Sequence, residues 1–207
     1  ESDSGRIVVV VVEAADVRFI SQEPLDITTS VARVDLDGAT GTVVATGDGA
    51  GDAIARAERT ALLMVAADSV GVATRAVAMA VAWAGQREQF GRPIGEFQAV
   101  SHRCADMLVD AESARNQVQA AAAVPPESAE ADLAVCRAAA HALSAGVRVA
   151  ESCVQVHGGI GFTWEHDAHL YVRRAKATEL MFGSPDHHLA RLADLVSSSR
   201  HQPEGKL

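Results

Sequence analysis

The spacing of hydrophobic side chains changes near residue 50 of the chain. Before that point, residues 7–12 form a continuous β-branched run, which predicts a strand buried on both faces. Residues 31–36 alternate between apolar and polar side chains and end at the turn signal Asp37-Gly38, and residues 42–45 predict a last short strand. Three or four strands are too few to close a barrel or a sandwich, so we expect them to need a partner surface.

After residue 50, apolar side chains recur at spacings of three and four residues, which is the period of an α-helix. Asp52 is the expected N-cap of the first helix, whereas Pro125-Pro126 and Gly158 are expected to end the second and third helices. Short connections between such helices are typical of a bundle. The pattern predicts five helical segments, at 52–85, 97–123, 127–157, 168–182 and 185–196.

Composition supports a mainly α fold. Hydrophobic residues make up 48% of the chain but aromatic residues only 4%, and a core rich in Ala, Val and Leu suits closely packed helices. We therefore predict a helical bundle preceded by a few β-strands. The expected domains are a partial β domain at 1–50 and an α-helical bundle at 51–198, followed by a polar tail at 199–207.

Charge and cysteine content exclude several classes of function. A net charge of −9 argues against general affinity for nucleic acid or for anionic membranes. We find no apolar run that predicts a membrane span and no signal-peptide pattern. The dispersed Cys104, Cys136 and Cys153 indicate reduced thiols in the cytoplasm, and their spacing predicts no metal site.

Two short stretches carry residues suited to binding a polar ligand. Three glycines within Gly158–Gly161 let a backbone approach closely, and the neighbouring Gln155 and His157 can hydrogen-bond without a fixed charge. Upstream, Arg87 offers a two-pronged guanidinium to a pyrophosphate. Each residue also has an ordinary interpretation as a helix cap, a surface polar group or a buried histidine.

The two stretches together, Arg87-x-x-Phe90-Gly91 with Phe97-Gln98 and then Gln155-x-x-Gly158-Gly159-x-Gly161, resemble the C-terminal domain of acyl-CoA dehydrogenases. The resemblance covers residues 47–196, and the first fifty residues resemble the end of that family's middle β domain. These flavoenzymes introduce a double bond next to a thioester. The resemblance implies FAD as cofactor, in a site shared between subunits, and it implies these contacts: Arg87, Phe90, Gln98, Gln155, Val156, His157, Gly158 and Gly159.

The catalytic base of the family has no counterpart in this sequence. Aligned on Arg174-Ala175-Lys176, the usual glutamate position holds Phe182, and the alternative position on the first helix holds Ala61. Neither side chain accepts a proton, so we predict no catalytic residue in this chain. We also expect Arg173 and Arg174 to form ion pairs with Glu165 or Asp167.

The resemblance therefore implies the shortened subunit of a heteromeric acyl-CoA dehydrogenase that completes the FAD site of a full-length partner, in an α2β2 assembly. Acyl-CoA thioesters, among them those of steroid side chains, are the expected substrates, and an electron-transfer flavoprotein is the expected acceptor. One alternative is a helical scaffold or regulatory subunit that binds no flavin. Another is a homomeric enzyme that uses Glu58 or Glu179 as base.

Overall fold

A computed structural model describes residues 7–200 of the chain, and side chains as far as residue 198. The chain forms two compact units, Glu1–Thr60 and Ala61–Leu207, which we treat separately. The domain boundary expected at residue 50 stays a prediction. The expected polar tail at 199–207 lies outside the described residues from residue 201 onward.

The first unit contains two antiparallel strand pairs. Strand β1 (Val8–Val12) pairs with β4 (Gly41–Thr46), and β2 (Arg18–Gln22) pairs with β3 (Val31–Asp35). The sequence pattern indicated β1, β3 and β4 but not β2. The strands of each pair lie side by side in a sheet of two strands.

The expectation that residues 7–12 form a strand buried on both faces is wrong. Val10 is 41% exposed and Val11 55% exposed. The described strands leave this two-stranded sheet without a covering layer, so consecutive side chains, which point to opposite faces, remain open to solvent. The β-branched run therefore predicts the strand correctly but not its environment.

Five α-helices dominate the part of the chain that the structure describes, which confirms the predicted mainly α class. Between the first two helices lies a small hairpin of β5 (Glu88–Gln89) and β6 (Arg92–Pro93). The first helix begins in the first unit and continues into the second. The helices are α1 (Asp48–Gln86), α2 (Gln98–Ala122), α3 (Ala131–His157), α4 (Ala168–Glu179) and α5 (Pro185–Arg200).

Four predicted helix ends differ from the structure by three residues or more, and one of them is the end of α5, which continues to Arg200 instead of residue 196. Helix α1 begins at Asp48 rather than at the expected N-cap Asp52, because Gly47 (φ 58°) accepts the N–H groups of residues 50 and 51 at its carbonyl. Helix α3 begins four residues later than expected, because Ser128 accepts the backbone N–H groups of residues 130 and 131 and forms a turn. Helix α4 ends at Glu179, three residues earlier than expected.

Helix α3 lies at the centre of the second unit, and its buried side chains are mostly small. It packs against α2, α4 and α5. It meets α1 at Gly146, where an added Cβ would lie 3.2 Å from the Cβ of Ser69. The three cysteines are free thiols, and Cys136 and Cys153 are buried. Small residues thus let the helices pack closely around α3.

Helix α1 and the segment Ala131–Phe162 are long and apolar enough to cross a membrane, although no such run was predicted. Length and hydropathy alone are weak evidence, since the core helix of a globular bundle has both. In the segment beginning at α3, 72% of the apolar window is buried inside the protein, as expected of a core helix; in α1 the share is 33%.

Candidate functional site

One end of the helical bundle gathers the residues predicted to bind a cofactor. The rings of Trp83 near the end of α1 and His157 at the end of α3 stack with centroids 5.2 Å apart. The segment that leads into α2 packs on α1 as well, since a Cβ added at Gly95 would lie 3.1 Å from the carbonyl oxygen of Ala84. Residues just after α1 and α3 and at the start of α2 are therefore close together.

Arg87 combines a fixed backbone with a free side chain. Its N–H donates to the carbonyl of Trp83 at 2.8 Å, and its own carbonyl accepts the N–H of Ile94 at 2.8 Å. The side chain is exposed, and within the described part of the chain its guanidinium makes no hydrogen bond or ion pair. Such a group can donate two parallel hydrogen bonds to a phosphate or pyrophosphate.

Phe90 is held in an unusual conformation at the tip of the β5–β6 hairpin. Its φ is 54° and that of Gly91 is 79°, as a two-residue turn between Gln89 and Arg92 requires. A bulky residue in this region carries strain of about 1–3 kcal/mol. The Phe90 side chain is 92% exposed, and its ring meets Phe97 edge-on with centroids 6.1 Å apart. A strained, exposed aromatic residue indicates a role in binding.

Gln98 and Gln155 present uncharged polar groups on two helices. Gln98 is the first residue of α2, and Gln155 lies in the last turn of α3; both are exposed. Gln155 lines a groove of about 570 Å³ between α2 and α3. Neither amide makes a side-chain hydrogen bond within residues 7–198. Both are therefore available to a ligand.

The glycines that follow α3 have different structural roles. Gly158 has a φ of 67°, and a Cβ at Gly161 would lie 2.9 Å from the carbonyl oxygen of Val154, so the fold itself requires both. Gly159 has no positive φ, and a Cβ there would meet nothing within 4 Å. The fold thus tolerates a side chain at Gly159, which leaves open space for the approach of another molecule.

Val156 and His157 point into the bundle. Both are 6% exposed, and Val156 belongs to the buried core. The His157 Nδ1 donates to the carbonyl of Cys153 at 2.7 Å. Burial lowers the pKa of His157, which keeps the ring neutral near pH 7. A ligand outside the bundle would therefore meet the backbone at these positions, and side-chain contacts from Val156 and His157 stay a prediction.

Two further residues at this end of the bundle were not predicted from the sequence. Trp83 lies on α1 one turn before Arg87, and His166 precedes α4; their rings are 6.1 Å apart. Together with His157 they border a cavity of about 330 Å³. For Trp83 the available signal was its position four residues before Arg87, which places the two residues on one face where the last turn of α1 continues to Arg87.

The structure gives no carboxylate at either expected base position. Phe182 is 43% exposed, and Ala61 is half-buried. Of the two displaced candidates, Glu58 is exposed, whereas Glu179 lies 3.8 Å from the Lys176 ammonium group. The Glu179 carboxylate therefore has a cationic partner within its own helix.

Arg174 does not pair with Glu165 or Asp167 as predicted. Its guanidinium donates two hydrogen bonds to Asp68 on α1, at 2.8 and 2.9 Å, and Thr178 donates to the same carboxylate at 3.5 Å. Arg174 lies inside α4, on the face that meets α1, whereas Glu165 and Asp167 precede that helix. The guanidinium of Arg173 lies 5.0 Å from the ring centroid of Trp164.

Known proteins share this fold and much of this sequence. FadE34 of Mycobacterium tuberculosis is 45% identical over 147 residues, which are 69% of this chain but 20% of that protein. The ChsE4–ChsE5 complex from Mycobacterium tuberculosis superposes with a TM-score of 0.79 at 30% identity, covering 96% of this chain and 56% of the other. A variant of the Tcur3481–Tcur3483 steroid ACAD gives a TM-score of 0.77 at 25% identity, covering 94% and 56%.

The chain thus spans about a fifth of FadE34 and somewhat more than half of the two solved chains. Its residues 47–196 match the family described as acyl-CoA dehydrogenase, C-terminal domain. This match covers most of the chain and contains all the candidate cofactor residues. The chain therefore belongs to the acyl-CoA dehydrogenase family, through that family's C-terminal domain.

Proposed function

We propose that this chain is a subunit of a flavin-dependent acyl-CoA dehydrogenase and completes the FAD site of a full-length partner subunit. The observation that carries the proposal is the set of exposed, unpaired polar groups at one end of the bundle, Arg87, Gln98 and Gln155. A helical scaffold has no chemical need for them. Membership of the family and the solved complex of ChsE4 with ChsE5 support a subunit of this kind.

The chemistry of these groups suits FAD. The guanidinium of Arg87 would hold the pyrophosphate, and the amides of Gln98 and Gln155 would contact the uncharged adenosine half. Phe90 would pack beside the cofactor, and the backbone from Val156 to Gly159 would lie along it. When bound, FAD accepts a hydride from the β-carbon of the acyl chain. The residues of this chain bind and orient; none of them moves a proton.

The partner supplies the base in this proposal. Removal of the α-proton needs a carboxylate within hydrogen-bond reach, and the two family positions hold Phe182 and Ala61 here. Coenzyme A thioesters with a steroid side chain are the proposed substrates, supported by the likeness to a steroid ACAD. We place the α2β2 enzyme in the cytoplasm, with an electron-transfer flavoprotein as electron acceptor.

The test compares the chain alone with the chain co-expressed with a full-length acyl-CoA dehydrogenase subunit. Native mass and the flavin absorbance spectrum are recorded for both samples. We expect flavin only in a mixed oligomer, at fewer than one FAD per chain. One FAD per chain in the lone protein would contradict a shared site.

The substitution Arg87→Ala tests directly whether the Arg87 guanidinium holds FAD. We expect it to weaken FAD binding by the complex about tenfold or more, as loss of a charge-assisted contact should. The matched control is Arg137→Ala, because Arg137 is also exposed but lies on α3, well before its C-terminal end. Unchanged flavin content in the Arg87 variant, or no flavin in any sample, favours the alternative of a scaffold or regulatory subunit.

A further inference from the structure

Three aromatic side chains contact one another next to the glycine segment, which we define as Gly158–Gly161. We call this group the ring clasp; it consists of Trp83, His157 and His166. Trp83 stacks on His157 at an interplanar angle of 24°. The two imidazoles lie closer still, with centroids 4.2 Å apart. The ring clasp therefore joins the end of α1, the end of α3 and the residue pair that precedes α4.

The two imidazoles hydrogen-bond in opposite senses. The Nδ1 of His157 donates to the carbonyl of Cys153 at 2.7 Å. The Nδ1 of His166 accepts the N–H of Ala168, the first residue of α4, at 3.1 Å. A carbonyl can only accept and a backbone N–H can only donate, so His157 carries its proton on Nδ1 whereas His166 has none there.

The stretch between these histidines contains Gly158 and Gly159. We propose that Trp83 and His166 are positioning residues, and that the ring clasp holds this glycine segment in its binding conformation only while His166 is neutral. The inference rests on the proposed function for its consequence, which is retention of FAD. Neither residue needs to touch the cofactor.

Protonation of His166 would open the ring clasp by removing a hydrogen bond. A proton on the Nδ1 of His166 turns the acceptor of the Ala168 N–H into a donor and removes the hydrogen bond at the start of α4. A charge on one ring also disfavours a charge on the other at 4.2 Å. Imidazole is the side chain whose charge ordinarily changes between pH 5 and 8.

Other titratable groups also lie around the ring clasp, and the two thiols among them do not change charge as the pH falls from 8 to 5. Burial raises the pKa of Cys153 to about 11 and also raises that of Cys104 on α2, so both thiols stay neutral. Arg75 on α1 is a basic residue on the rim of the same cavity. Glu165 and Asp167 are exposed carboxylates on the rim of the cavity. Lowering the pH should therefore release the glycine segment from its binding conformation through protonation of His166.

The first experiment follows Trp83 itself. The chain has two tryptophans, so Trp164→Phe leaves Trp83 as the single emitter. We expect its emission maximum to move to longer wavelength as the pH falls from 8 to 5, because the indole becomes solvated when the ring clasp opens. Adding His166→Asn should abolish most of this change, since the amide oxygen accepts the Ala168 N–H but takes up no proton.

The second experiment measures the flavin content of the co-expressed complex across the same pH range. Wild type should lose flavin as the pH falls, whereas His166→Asn should retain it. His166→Ala should retain FAD about fivefold less well at pH 8, the equilibrium equivalent of one lost helix-cap hydrogen bond. His169→Ala is the matched control and should behave as wild type, because His169 contacts Trp164 and not the ring clasp.

The outcomes separate the two proposals. If Trp83 emission does not change with pH, or changes equally in the His166→Asn variant, the ring clasp does not open through protonation of His166. Flavin content that falls with pH equally in wild type and His166→Asn overturns the positioning role. A complex without flavin at any pH overturns the proposed function and its positioning consequence, while Trp83 emission still shows whether the ring clasp opens.

Discussion

Two glycines of the segment after α3 are expected to respond differently to the same substitution. A methyl group at Gly161 meets the backbone of Val154 at 2.9 Å, whereas one at Gly159 meets nothing within 4 Å. Gly161→Ala should lower the free energy of unfolding by about 1–3 kcal/mol. Gly159→Ala should change it by less than about 0.5 kcal/mol but lower the flavin content of the complex. Thermal unfolding and flavin absorbance measure both effects; intact flavin in the Gly159 variant would contradict a close approach there.

Phe90 should show a conflict between stability and binding. Its side chain is 92% exposed and its φ is 54°, so Phe90→Asn loses little packing and gains a residue that favours this turn. We expect the free energy of unfolding to rise by about 1 kcal/mol and flavin binding to weaken. Chemical denaturation of the lone chain gives the first quantity, and flavin content of the complex the second. A variant less stable than wild type would show that the turn is not strained.

His188 should make stability depend on pH. The side chain is 1% exposed, and burial, followed by the charge of His187, lowers its pKa. Below the ordinary histidine pKa of about 6.5, the unfolded chain takes up a proton that the folded chain resists. Stability should therefore fall as the pH drops from 6.5 to the lowered pKa of the folded state. His188→Leu should reduce this slope in urea denaturation between pH 7.5 and 5; an unchanged slope would assign it to other groups.

Residue types in the sequence predicted the composition of the candidate site but not the direction of each side chain. Gln155, Val156 and His157 are consecutive, so helix geometry turns them to different faces, and two of the three point inward. Trp83 and His166 were missed for a different reason. Their contacts join positions far apart in sequence, and no local pattern encodes such contacts.

At the scale of elements, the ion pair between Asp68 on α1 and Arg174 on α4 offers the most direct test of how these helices pack. Asp68 and Arg174 are about one-third exposed, so we expect Asp68→Asn or Arg174→Met to cost about 0.5–1 kcal/mol. The exchange D68R with R174D should recover part of this loss. A double-mutant cycle in denaturant measures the coupling. Additive losses would mean that the pair contributes packing and no charge pairing.

The recurrence of apolar side chains every three or four residues predicted all five described helices, whereas the ends of the helices depended on local hydrogen bonds. The backbone carbonyl of Gly47 begins α1 four residues before Asp52, and Ser128 delays α3. Strand β2 was missed because a single amphipathic stretch of five residues carries little periodic signal. The exposure of β1 could not be predicted, since burial of a strand depends on how many neighbours its sheet has.

At the scale of the whole molecule, the first unit exposes large apolar side chains, among them Phe19 at 61% and Leu25 at 60%. Exposed apolar surface of this kind is typical of a face that packs on something else. It supports the proposal that residues 1–50 correspond to part of the family's middle β domain. The second unit has its own buried core around α3.

The proposal that the partner supplies the base predicts which glutamate substitutions lower turnover and which do not. Glu58→Gln and Glu179→Gln each remove a candidate carboxylate while keeping the shape of the side chain, and we expect turnover by the complex to stay within about twofold of wild type. Glu179→Gln also weakens the contact with Lys176, so thermal unfolding should accompany it as a control. In the same assay, replacing the glutamate base of the partner by glutamine should lower turnover by about a hundredfold or more, because proton removal then lacks its acceptor. Turnover lost in either variant of this chain, with its fold and flavin intact, would make that glutamate the base, as the alternative of a homomeric enzyme requires.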